Sequence, residues 1–304
     1  RRLIDLGVAY ACLLHEKLGW GESLTKAEAL FPKDAGAFLA AGTAVRAAAE
    51  EAIAYVDRNA GRDLRDGQGR PAVRTVSAVR LAAPIQRPGK IVAEGLNYRR
   101  HAAEAGLVPP QFPMGFLKVA TSIVGPEANV VRPRGISTLD YEVELGVVMG
   151  RAGTNIGEDE ALDYVGGYTI VNDVSVREIQ LREMEARTIL LGKNYPTHCP
   201  IGPWVVTADE IPDPQALTVE TRVNGERRQH SSTGDMIFNV RQMIAYWSSL
   251  GFEPGDVIST GTPEGVAMGH KPDPQEWYLK PGDVMELEIS GIGVLRNRIV
   301  DAAG

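Results

Sequence analysis

The sequence is poor in cysteine, and the two cysteines it has lie far apart. Only Cys12 and Cys199 occur among 304 residues, and no C-x-x-C spacing is present. A disulfide framework or a thiolate zinc site needs more cysteines at closer spacing, so we expect neither. This usage is typical of a reducing compartment, which makes the cytoplasm the expected location.

Long apolar runs and an excess of positive charge are also missing. No run approaches the roughly 20 apolar residues of a membrane span, and the first residues lack the basic-then-apolar order of a signal peptide. The formal net charge is -7, from 32 basic and 39 acidic residues that are interspersed along the chain. Nucleic acids and anionic membranes bind basic patches, so the sequence predicts neither as a partner and favours a small molecule.

The chain has enough apolar sequence for one large domain and one small one. Residues 1–75 are rich in Ala, Glu and Arg, and the stretch 37–56 has the spacing of an amphipathic helix. Pro and Gly residues at 83–89 indicate a boundary. We therefore predict a small, partly helical N-terminal domain over 1–85 and a second domain over 86–304.

The second region consists of short β-branched runs bounded by Gly and Pro. Such runs predict strands at 145–149, 168–171, 204–206, 217–223, 257–260 and 284–289. Helical spacing lies between them at 98–105, 158–164, 175–186 and 237–250. The pattern predicts a mixed α/β, β-rich fold and not a doubly wound parallel sheet.

Two glutamates lead into the apolar strand pattern at 145–149. Because alternate residues of a strand face the same side, Glu142 and Glu144 point in one direction. Two adjacent carboxylates are unfavourable at a buried strand unless a cation or a proton offsets their repulsion. The alternative is a strand end that faces solvent.

A third acid, Asp173, follows the predicted strand 168–171 and precedes a helix-like stretch. Either Asn172 or Asp173 could cap that helix without any catalytic role. Together with Glu142 and Glu144, however, Asp173 would form an all-oxygen site suited to Mg²⁺, Mn²⁺ or Ca²⁺ and poor for zinc. Such a site would leave positions open for water and substrate.

A possible proton-transfer pair lies in the predicted helix 98–105. His101 and Glu104 are three residues apart, which makes them neighbours on a helix face. Glu104 can orient the imidazole and stabilise its charge, as activation of a water by a histidine base requires. The alternative is an ordinary surface pair.

Two further segments are candidate anion contacts. Lys193 lies between a helical pattern and a Pro-rich turn, and Thr262 lies in the turn 260–263 after a predicted strand. An ammonium group, a threonine hydroxyl and turn amides can all bind anionic oxygen atoms. The alternatives are a solvated surface charge and an ordinary turn.

In this order, the segments resemble the fumarylacetoacetate hydrolase family. The motifs are G-L-N-Y-x-x-H-A-x-E at 95–104, D-Y-E-V-E-L-G-V-V at 140–148 and N-D-V-S at 172–175. With shorter matches they cover roughly residues 88–300. Many motifs in one order are far more specific than D-Y-E-V-E alone. The stretch 271–278 looks like an inserted loop.

The resemblance implies a β-roll catalytic domain, usually dimeric, behind a smaller and more variable N-terminal domain. It implies metal ligation by Glu142, Glu144 and Asp173, and a short helix with His101 and Glu104 that closes over the site. It implies that Lys193 is a catalytic residue, with His101 and Glu104, and helps to hold the substrate and metal-bound oxygens. The substrate-binding residues that it implies are Arg177, Gln180 and Thr262.

These residues lead to a hypothesis of carbon–carbon bond hydrolysis in an acylpyruvate-like substrate, a 2-oxo or 1,3-diketo acid. The 2-oxo acid end would chelate the metal, water activated by His101 and Glu104 would attack the distal carbonyl, and a metal-stabilised enolate would leave. Decarboxylation, isomerisation or hydration of 2-oxo acids in aromatic catabolism is the alternative on the same scaffold. A catalytically silent binding protein is a third hypothesis.

Overall fold

The structure, a computed structural model, describes residues 2–303. The chain divides into two compact units between Arg80 and Leu81, just before the Pro- and Gly-containing stretch at 83–89. Within the described residues, no helix is both long enough and apolar enough to cross a membrane.

The N-terminal unit is mostly helical. Its helices are α1 (Leu6–Leu18), α2 (Trp20–Leu30), α3 (Ala35–Ala40) and α4 (Gly42–Arg58), and two short strands, β1 (Arg2–Ile4) and β2 (Val73–Thr75), pair antiparallel. The carboxylate of Asp5 caps α1 by accepting a hydrogen bond from the Val8 amide at 3.0 Å. Small side chains such as Ala9 and Ala52 allow the helices to pack closely in the core of this unit.

The single helix predicted over 37–56 is two helices in the structure. α3 ends at Ala40 and α4 begins at Gly42, whose φ of 76° is a conformation that glycine adopts at little cost. Phe38 and Val45, on either side of the break, pack in one apolar cluster with Phe31. The apolar spacing therefore runs through the break and does not reveal it.

The second unit is built mainly from strands. They are β3 (Ile91–Gly95), β4 (Met114–Lys118), β5 (Ile123–Val124), β6 (Asn129–Arg132), β7 (Leu139–Asp140), β8 (Val143–Met149), β9 (Val165–Asn172), β10 (Ser175–Val176), β11 (Cys199–Thr207), β12 (Thr218–Val223), β13 (Glu226–Ser232), β14 (Val257–Ser259), β15 (Val284–Ile289) and β16 (Gly293–Asp301). The helices between them are α5 (Arg99–Ala105), α6 (Arg177–Glu185) and α7 (Val240–Trp247).

Two large sheets dominate this unit. A seven-stranded sheet has the order β4-β3-β14-β8-β9-β11-β5, and a five-stranded sheet has the order β13-β12-β15-β16-β6. Most neighbours are antiparallel, whereas β3 with β14, β5 with β11 and β6 with β16 are parallel. The predicted mixed α/β, β-rich fold is confirmed.

Strand β8 lies in the middle of the seven-stranded sheet, between β14 and β9, and all of its residues are buried. Leu145 and Val147 belong to a large apolar cluster that includes Met243 of α7. Burial of such side chains stabilises the fold by roughly 1.5–3 kcal/mol each. Alternation along the strand places Glu144 on the opposite face. One strand therefore serves both the core and the candidate site.

One predicted helix is a short turn in the structure, and one predicted strand is part of a much longer one. The helix predicted over 158–164 is a single 3₁₀ turn, Ala161–Tyr164, in which Ala161 is the buried residue. A longer helix there would have no apolar face to bury. The strand predicted at 204–206 is part of the longer β11 (Cys199–Thr207). The sequence pattern did not reveal the rest of that strand because prolines interrupt it.

Candidate active site

Three carboxylates lie together where β8 begins and β9 ends. The two strands pair with Val143 opposite Asn172, so Glu142 and Asp173 are neighbours just beyond the paired residues. Oxygen atoms of Glu142, Glu144 and Asp173 lie within 4.8 Å of one another, and all three residues are buried. The structure brings together the three residues that were predicted as metal ligands.

The alternative explanations for these acids are wrong. Glu142 is 6% exposed and Glu144 is 1% exposed, so this end of the strand does not face solvent. Helix α6 begins at Arg177 without a side-chain cap, so neither Asn172 nor Asp173 caps it. Instead, Asn172 Oδ1 accepts a hydrogen bond from the Glu142 amide at 3.0 Å, which fixes the backbone beside the carboxylates.

Buried cations contact these carboxylates directly. Lys193 Nζ donates to Glu142 Oε2 and to Asp173 Oδ2, both at 2.7 Å. Arg177 Nη2 lies 2.7 Å from Glu142 Oε1, and Lys118 Nζ donates to Asp173 Oδ1 at 2.6 Å. Because Lys193 is 2% exposed, the alternative of a solvated surface charge is wrong.

Lys118 and Asp140 belong to this network although neither was predicted as a site residue. Lys118 closes strand β4, and its side chain is fully buried. Asp140 accepts a hydrogen bond from Arg177 Nε at 2.8 Å. The sequence signal for Asp140 was its position at the start of the D-Y-E-V-E motif, whereas no strand was predicted at 114–118 that would have marked Lys118.

The network contains one negative charge more than its own cations neutralise. The buried carboxylates are the four of Asp140, Glu142, Glu144 and Asp173. The buried cations are the three of Lys118, Arg177 and Lys193. Among the residues that the structure describes, Glu144 has no ion-pair partner. Its Oε2 accepts hydrogen bonds from Ser259 Oγ at 2.5 Å and from the Gly261 amide at 3.0 Å.

This imbalance moves the pKa values of two glutamates in opposite directions. Burial and the carboxylates of Asp173 and Glu142 raise the pKa of Glu144 well above its ordinary value. Burial acts in the same sense on Glu142, but Lys193 and Arg177 outweigh it and lower the pKa of that carboxyl to about 2. Glu142 is therefore charged at neutral pH, whereas Glu144 requires a proton or a nearby cation.

The donor set fits a hard divalent cation. Glu142, Glu144 and Asp173 offer oxygen atoms and no nitrogen or sulfur, which favours Mg²⁺, Mn²⁺ or Ca²⁺ over zinc. A cation held by these three residues would also replace the proton that Glu144 otherwise requires. The residues present therefore fit the predicted metal in donor chemistry, and Glu144 offers a carboxylate that no protein cation neutralises.

Helix α5 carries the predicted proton-transfer pair. It ends before Gly106, which adopts the left-handed conformation with φ of 68°. His101 Nδ1 lies 3.1 Å from Glu104 Oε2, and the two side chains are only 13% and 21% exposed. The Gly265 amide donates to Glu104 Oε1 at 2.9 Å. The pair is thus largely enclosed and does not resemble an ordinary surface pair.

The stretch 260–265, which follows β14 and contains the turn 260–263, contacts both the carboxylate cluster and helix α5. Its Gly261 amide donates to Glu144, and its Gly265 amide donates to Glu104. Gly261 has φ of 86°, and a Cβ at that position would lie 2.8 Å from the Cβ of Asn97. Only glycine fits there without distortion. This stretch therefore links the candidate metal ligand Glu144 to Glu104, the partner of the candidate base.

Thr262 lies in the same turn, and its hydroxyl is engaged within the protein. It donates to the Val143 carbonyl at 3.0 Å and accepts from Gln229 Nε2 at 2.9 Å. These bonds fix the turn against the start of β8. A contact between Thr262 and a substrate stays a prediction.

Arg177 and Gln180 lie in the first part of α6 and are both buried. Gln180 Oε1 accepts a hydrogen bond from Arg177 Nη1 at 2.8 Å, while Arg177 also contacts Asp140 and Glu142. Gln180 therefore helps to orient the arginine beside the carboxylates. Their contact with a substrate also stays a prediction.

The sequence of the strand-rich unit defines the class of protein. Residues 90–300 match the family model described as fumarylacetoacetate (FAA) hydrolase C-terminal. The chain belongs to the fumarylacetoacetate hydrolase family. The resemblance inferred from the ordered motifs is confirmed, as is the fold class that it implied.

Named relatives are similar over most of their length. The 2,4-didehydro-3-deoxy-L-rhamnonate hydrolase of Sphingomonas sp. (strain SKA58) is 48% identical over 221 residues, which are 72% of this chain and 76% of the relative. A crystal structure of 2-hydroxyhepta-2,4-diene-1,7-dioate isomerase from Mycobacterium marinum is 36% identical with a TM-score of 0.65. The match covers 76% of this chain and 82% of that one.

A third relative was solved with ligands. Maleylpyruvate hydrolase from Sphingobium sp. SYK-6, in complex with manganese(II) ion and pyruvate, is 28% identical with a TM-score of 0.70. The match covers 88% of this chain and 86% of that one. These relatives are hydrolases and an isomerase, so the chain belongs to a family of enzymes.

Proposed function

We propose that the protein is a divalent-metal-dependent hydrolase that cleaves a carbon–carbon bond in an acylpyruvate, a 2,4-dioxo acid. The observation that carries this proposal is the buried cluster of Glu142, Glu144 and Asp173 together with the enclosed pair of His101 and Glu104. The first supplies a cation site and the second a base for water, which are the two functions that such a hydrolysis needs.

The named relatives support this substrate class. The name of the Sphingomonas relative describes a 2,4-didehydro-3-deoxy acid, which in chemical terms carries oxo groups in the 1,3-relationship of an acylpyruvate. The Sphingobium relative is a maleylpyruvate hydrolase that was solved with pyruvate. Both names are consistent with a small 2-oxo acid as the partner of this protein.

The cofactor in this proposal is Mg²⁺ or Mn²⁺, or alternatively Ca²⁺, held by Glu142, Glu144 and Asp173. When bound, such a cation stabilises negative charge that develops on the oxygen atoms of the 2-oxo acid. The manganese(II) in the Sphingobium relative supports Mn²⁺ as the first ion to test.

Lys193 has two roles in this proposal. An ammonium group has three donors. Two of those on Lys193 bind Glu142 and Asp173, both at 2.7 Å. One donor is left for the carboxylate or oxo group of a substrate. Lys193 therefore holds the candidate ligands in place and contributes positive charge where the substrate anion binds.

His101 acts as the base. Its imidazole removes a proton from water while Glu104 stabilises the resulting positive charge at 3.1 Å. The water oxygen bonds to the acyl carbon, and the bond from that carbon to the neighbouring methylene carbon breaks. The proton then returns from His101 to the methylene carbon. The products are pyruvate and a carboxylic acid, so atoms and charges balance.

A second candidate function is isomerisation or decarboxylation of a 2-oxo acid in aromatic catabolism. The identity of 36% with a 2-hydroxyhepta-2,4-diene-1,7-dioate isomerase favours the isomerase. Such chemistry also develops negative charge on a 2-oxo acid, but no water attacks. The cation site would therefore be needed, while the role of His101 as a base for water would not.

A substrate panel tests the proposal. We would assay acylpyruvates, oxaloacetate and 2-hydroxydienoates with chelator-treated protein, each with and without Mg²⁺ or Mn²⁺. We expect pyruvate release from acylpyruvates, restored by metal after chelation. Preferred turnover of oxaloacetate or a dienoate would replace this proposal with the second candidate. No turnover of any member would favour a catalytically silent binding protein.

We also propose that the protein is a homodimer. Exposed apolar side chains lie on and around β4, which is an edge strand of the seven-stranded sheet, and they include Leu107, Val108, Phe112, Met114, Leu117 and Val119. An exposed apolar edge is usually covered in a stable protein. Light scattering should give the mass of a dimer, and Leu117→Glu should shift it towards the monomer; a monomeric wild type would refute the proposal.

A further inference from the structure

The carboxylate of Glu104 lies directly against Gly269. A Cβ placed on Gly269 would be 2.4 Å from Glu104 Cδ and 2.6 Å from both carboxylate oxygens. Gly269 closes the 3₁₀ turn Ala267–Gly269, and its φ lies in the range that other residues adopt. The backbone conformation at position 269 is therefore one that other residues adopt, but Glu104 occupies the space that their Cβ would need.

The segment 265–270 around this glycine is fixed from the inside of the protein. Its Gly265 amide donates to Glu104 Oε1 at 2.9 Å. The amides of Ala267 and Met268 donate to the two oxygens of Asp140 at 2.7 and 3.1 Å. Asp140 is fully buried, so these bonds hold the segment in one place.

Asp140 also connects segment 265–270 to the candidate metal ligands. Arg177 Nε donates to Asp140 at 2.8 Å, and the same guanidinium lies 2.7 Å from Glu142. A continuous set of buried polar contacts therefore runs from Glu142 through Arg177 and Asp140 to the segment against which Glu104 rests.

Segment 265–270 is fixed from the outside as well. The His270 ring stacks on Trp277 with ring centres 3.5 Å apart and an interplanar angle of 3°. The guanidinium of Arg228 lies 4.2 Å from the centre of the same Trp277 ring. Trp277 belongs to the loop 271–278, so this loop has a structural role in holding segment 265–270.

We propose that segment 265–270 positions Glu104. Because glycine has no side chain, Gly269 leaves the space in which the Glu104 carboxylate lies. This inference rests on the proposed function, in which Glu104 supports His101 as a base. A carboxylate displaced by the order of 1 Å loses the alignment that proton transfer needs, which can cost roughly 10²-fold in rate. Gly269 is a positioning residue, because its effect passes through Glu104.

The direct test is Gly269→Ala, with Gly157→Ala as the matched control. Gly157 has an ordinary φ, and the nearest atom to a Cβ there is 3.9 Å away. We expect Gly269→Ala to lower kcat for acylpyruvate roughly 10-fold or more, with KM and Mn²⁺ affinity within about 2-fold of wild type. Gly157→Ala should match wild type. An unchanged kcat in Gly269→Ala would overturn the inference.

A double-mutant cycle with Glu104→Ala separates positioning from a general effect on folding. Once Glu104 is truncated, the space beside Gly269 is free, so adding Gly269→Ala should cause no further loss of kcat and no further fall in Tm. If Gly269→Ala alone does not fold, the double variant should fold. Equal losses in both backgrounds would contradict the inference.

A measurement that does not depend on catalytic turnover can test the position of Glu104 separately from the proposed function. In protein labelled selectively at glycine, the amide resonance of Gly265 reports its hydrogen bond to Glu104. We expect that resonance to move in Gly269→Ala and to stay in place in Gly157→Ala. If the wild type hydrolyses no acylpyruvate, the proposed function fails, while this resonance still decides whether Gly269 positions Glu104. An unmoved resonance would refute the inference.

Discussion

Lys118 and Lys193 bind the same carboxylate from its two sides. Lys118 Nζ donates to Asp173 Oδ1 at 2.6 Å, and Lys193 Nζ donates to Asp173 Oδ2 at 2.7 Å. Lys118 also donates to the main-chain carbonyl of Lys193. Asp173 is thereby held in one orientation, whereas Glu144 has no cation of its own among the described residues.

The first prediction concerns Lys118→Met. The change leaves one oxygen of a buried carboxylate without its partner, and breaking a buried ion pair in this way costs about 3–5 kcal/mol. We expect a clear fall in Tm and a loss of turnover, measured by calorimetry and by the acylpyruvate assay. The matched control is Lys26→Met, because Lys26 is 52% exposed in its ion pair with Glu22 and should contribute little. Equal Tm values for the two variants would contradict the prediction.

The second prediction concerns Glu144→Gln, which should act in opposite directions on stability and on metal binding. Without metal, folding must either bury the Glu144 carboxylate as a charge or protonate it, and the neutral amide removes that cost, so the free energy of unfolding should rise at neutral pH. With one carboxylate fewer, Mn²⁺ affinity should fall by roughly 10-fold or more. Calorimetry in chelator and metal titration measure the two effects. Unchanged Mn²⁺ affinity would exclude Glu144 as a ligand.

The third prediction is a pH dependence that comes from Glu94 on β3. Its Oε2 accepts from Trp247 Nε1 at 2.7 Å, and its Oε1 has no hydrogen-bond partner. Burial outweighs that hydrogen bond and raises the pKa of Glu94 from 4.5 to about 7. The folded protein therefore holds the Glu94 proton more tightly than the unfolded chain does. The resulting contribution to the free energy of unfolding is fully present below pH 4.5 and is lost as pH rises through about 7. The effect is about 3 kcal/mol at most.

Glu94→Gln tests this dependence, since the amide is neutral at every pH. We expect the Tm of the variant to exceed that of the wild type above pH 7 and the gap to narrow towards pH 4.5. Glu50→Gln, at an exposed position of α4, is the control and should follow the wild type. Parallel Tm curves for wild type and Glu94→Gln would show that Glu94 does not titrate in this range.

The fourth prediction separates hydrolysis from decarboxylation. His101→Ala should lower acylpyruvate turnover roughly 10²-fold or more while leaving Mn²⁺ affinity nearly unchanged. Glu104→Gln should give a smaller loss in the same direction, and the two effects should be non-additive because the side chains act as a pair. Oxaloacetate decarboxylation should be affected much less. His230→Ala is the control, since that side chain is 50% exposed on β13. Unimpaired hydrolysis in His101→Ala would exclude it as the base.

The ordered motifs were enough to predict the family, the strand-rich fold and the three candidate ligands. The reason is local: alternate residues of an extended chain face the same side, which orients Glu142 with Glu144 at the start of β8, and Asp173 directly follows β9, the strand that pairs with β8. Helix bounds were less predictable. The break before Gly42 lies within continuous apolar spacing, because the segments on both sides pack in one cluster.

The contacts that complete the site depend on residues far apart in sequence. Lys118 and Asp173 are 55 positions apart, and the Gly265 amide that binds Glu104 is 161 positions away from it. No periodicity in either segment encodes such a pair, because tertiary packing alone brings them together. The same applies to Gly269, whose significance lies in the space it leaves for Glu104.

Metal-dependent cleavage of an acylpyruvate by water can be followed by quantifying its products. Chelator-treated protein would be incubated with an acylpyruvate before and after addition of Mn²⁺, and both products would be quantified. We expect equal amounts of pyruvate and the carboxylic acid with Mn²⁺ and almost none of either without it. Equal product formation in the presence of chelator, or consumption of the acylpyruvate without pyruvate, would contradict it.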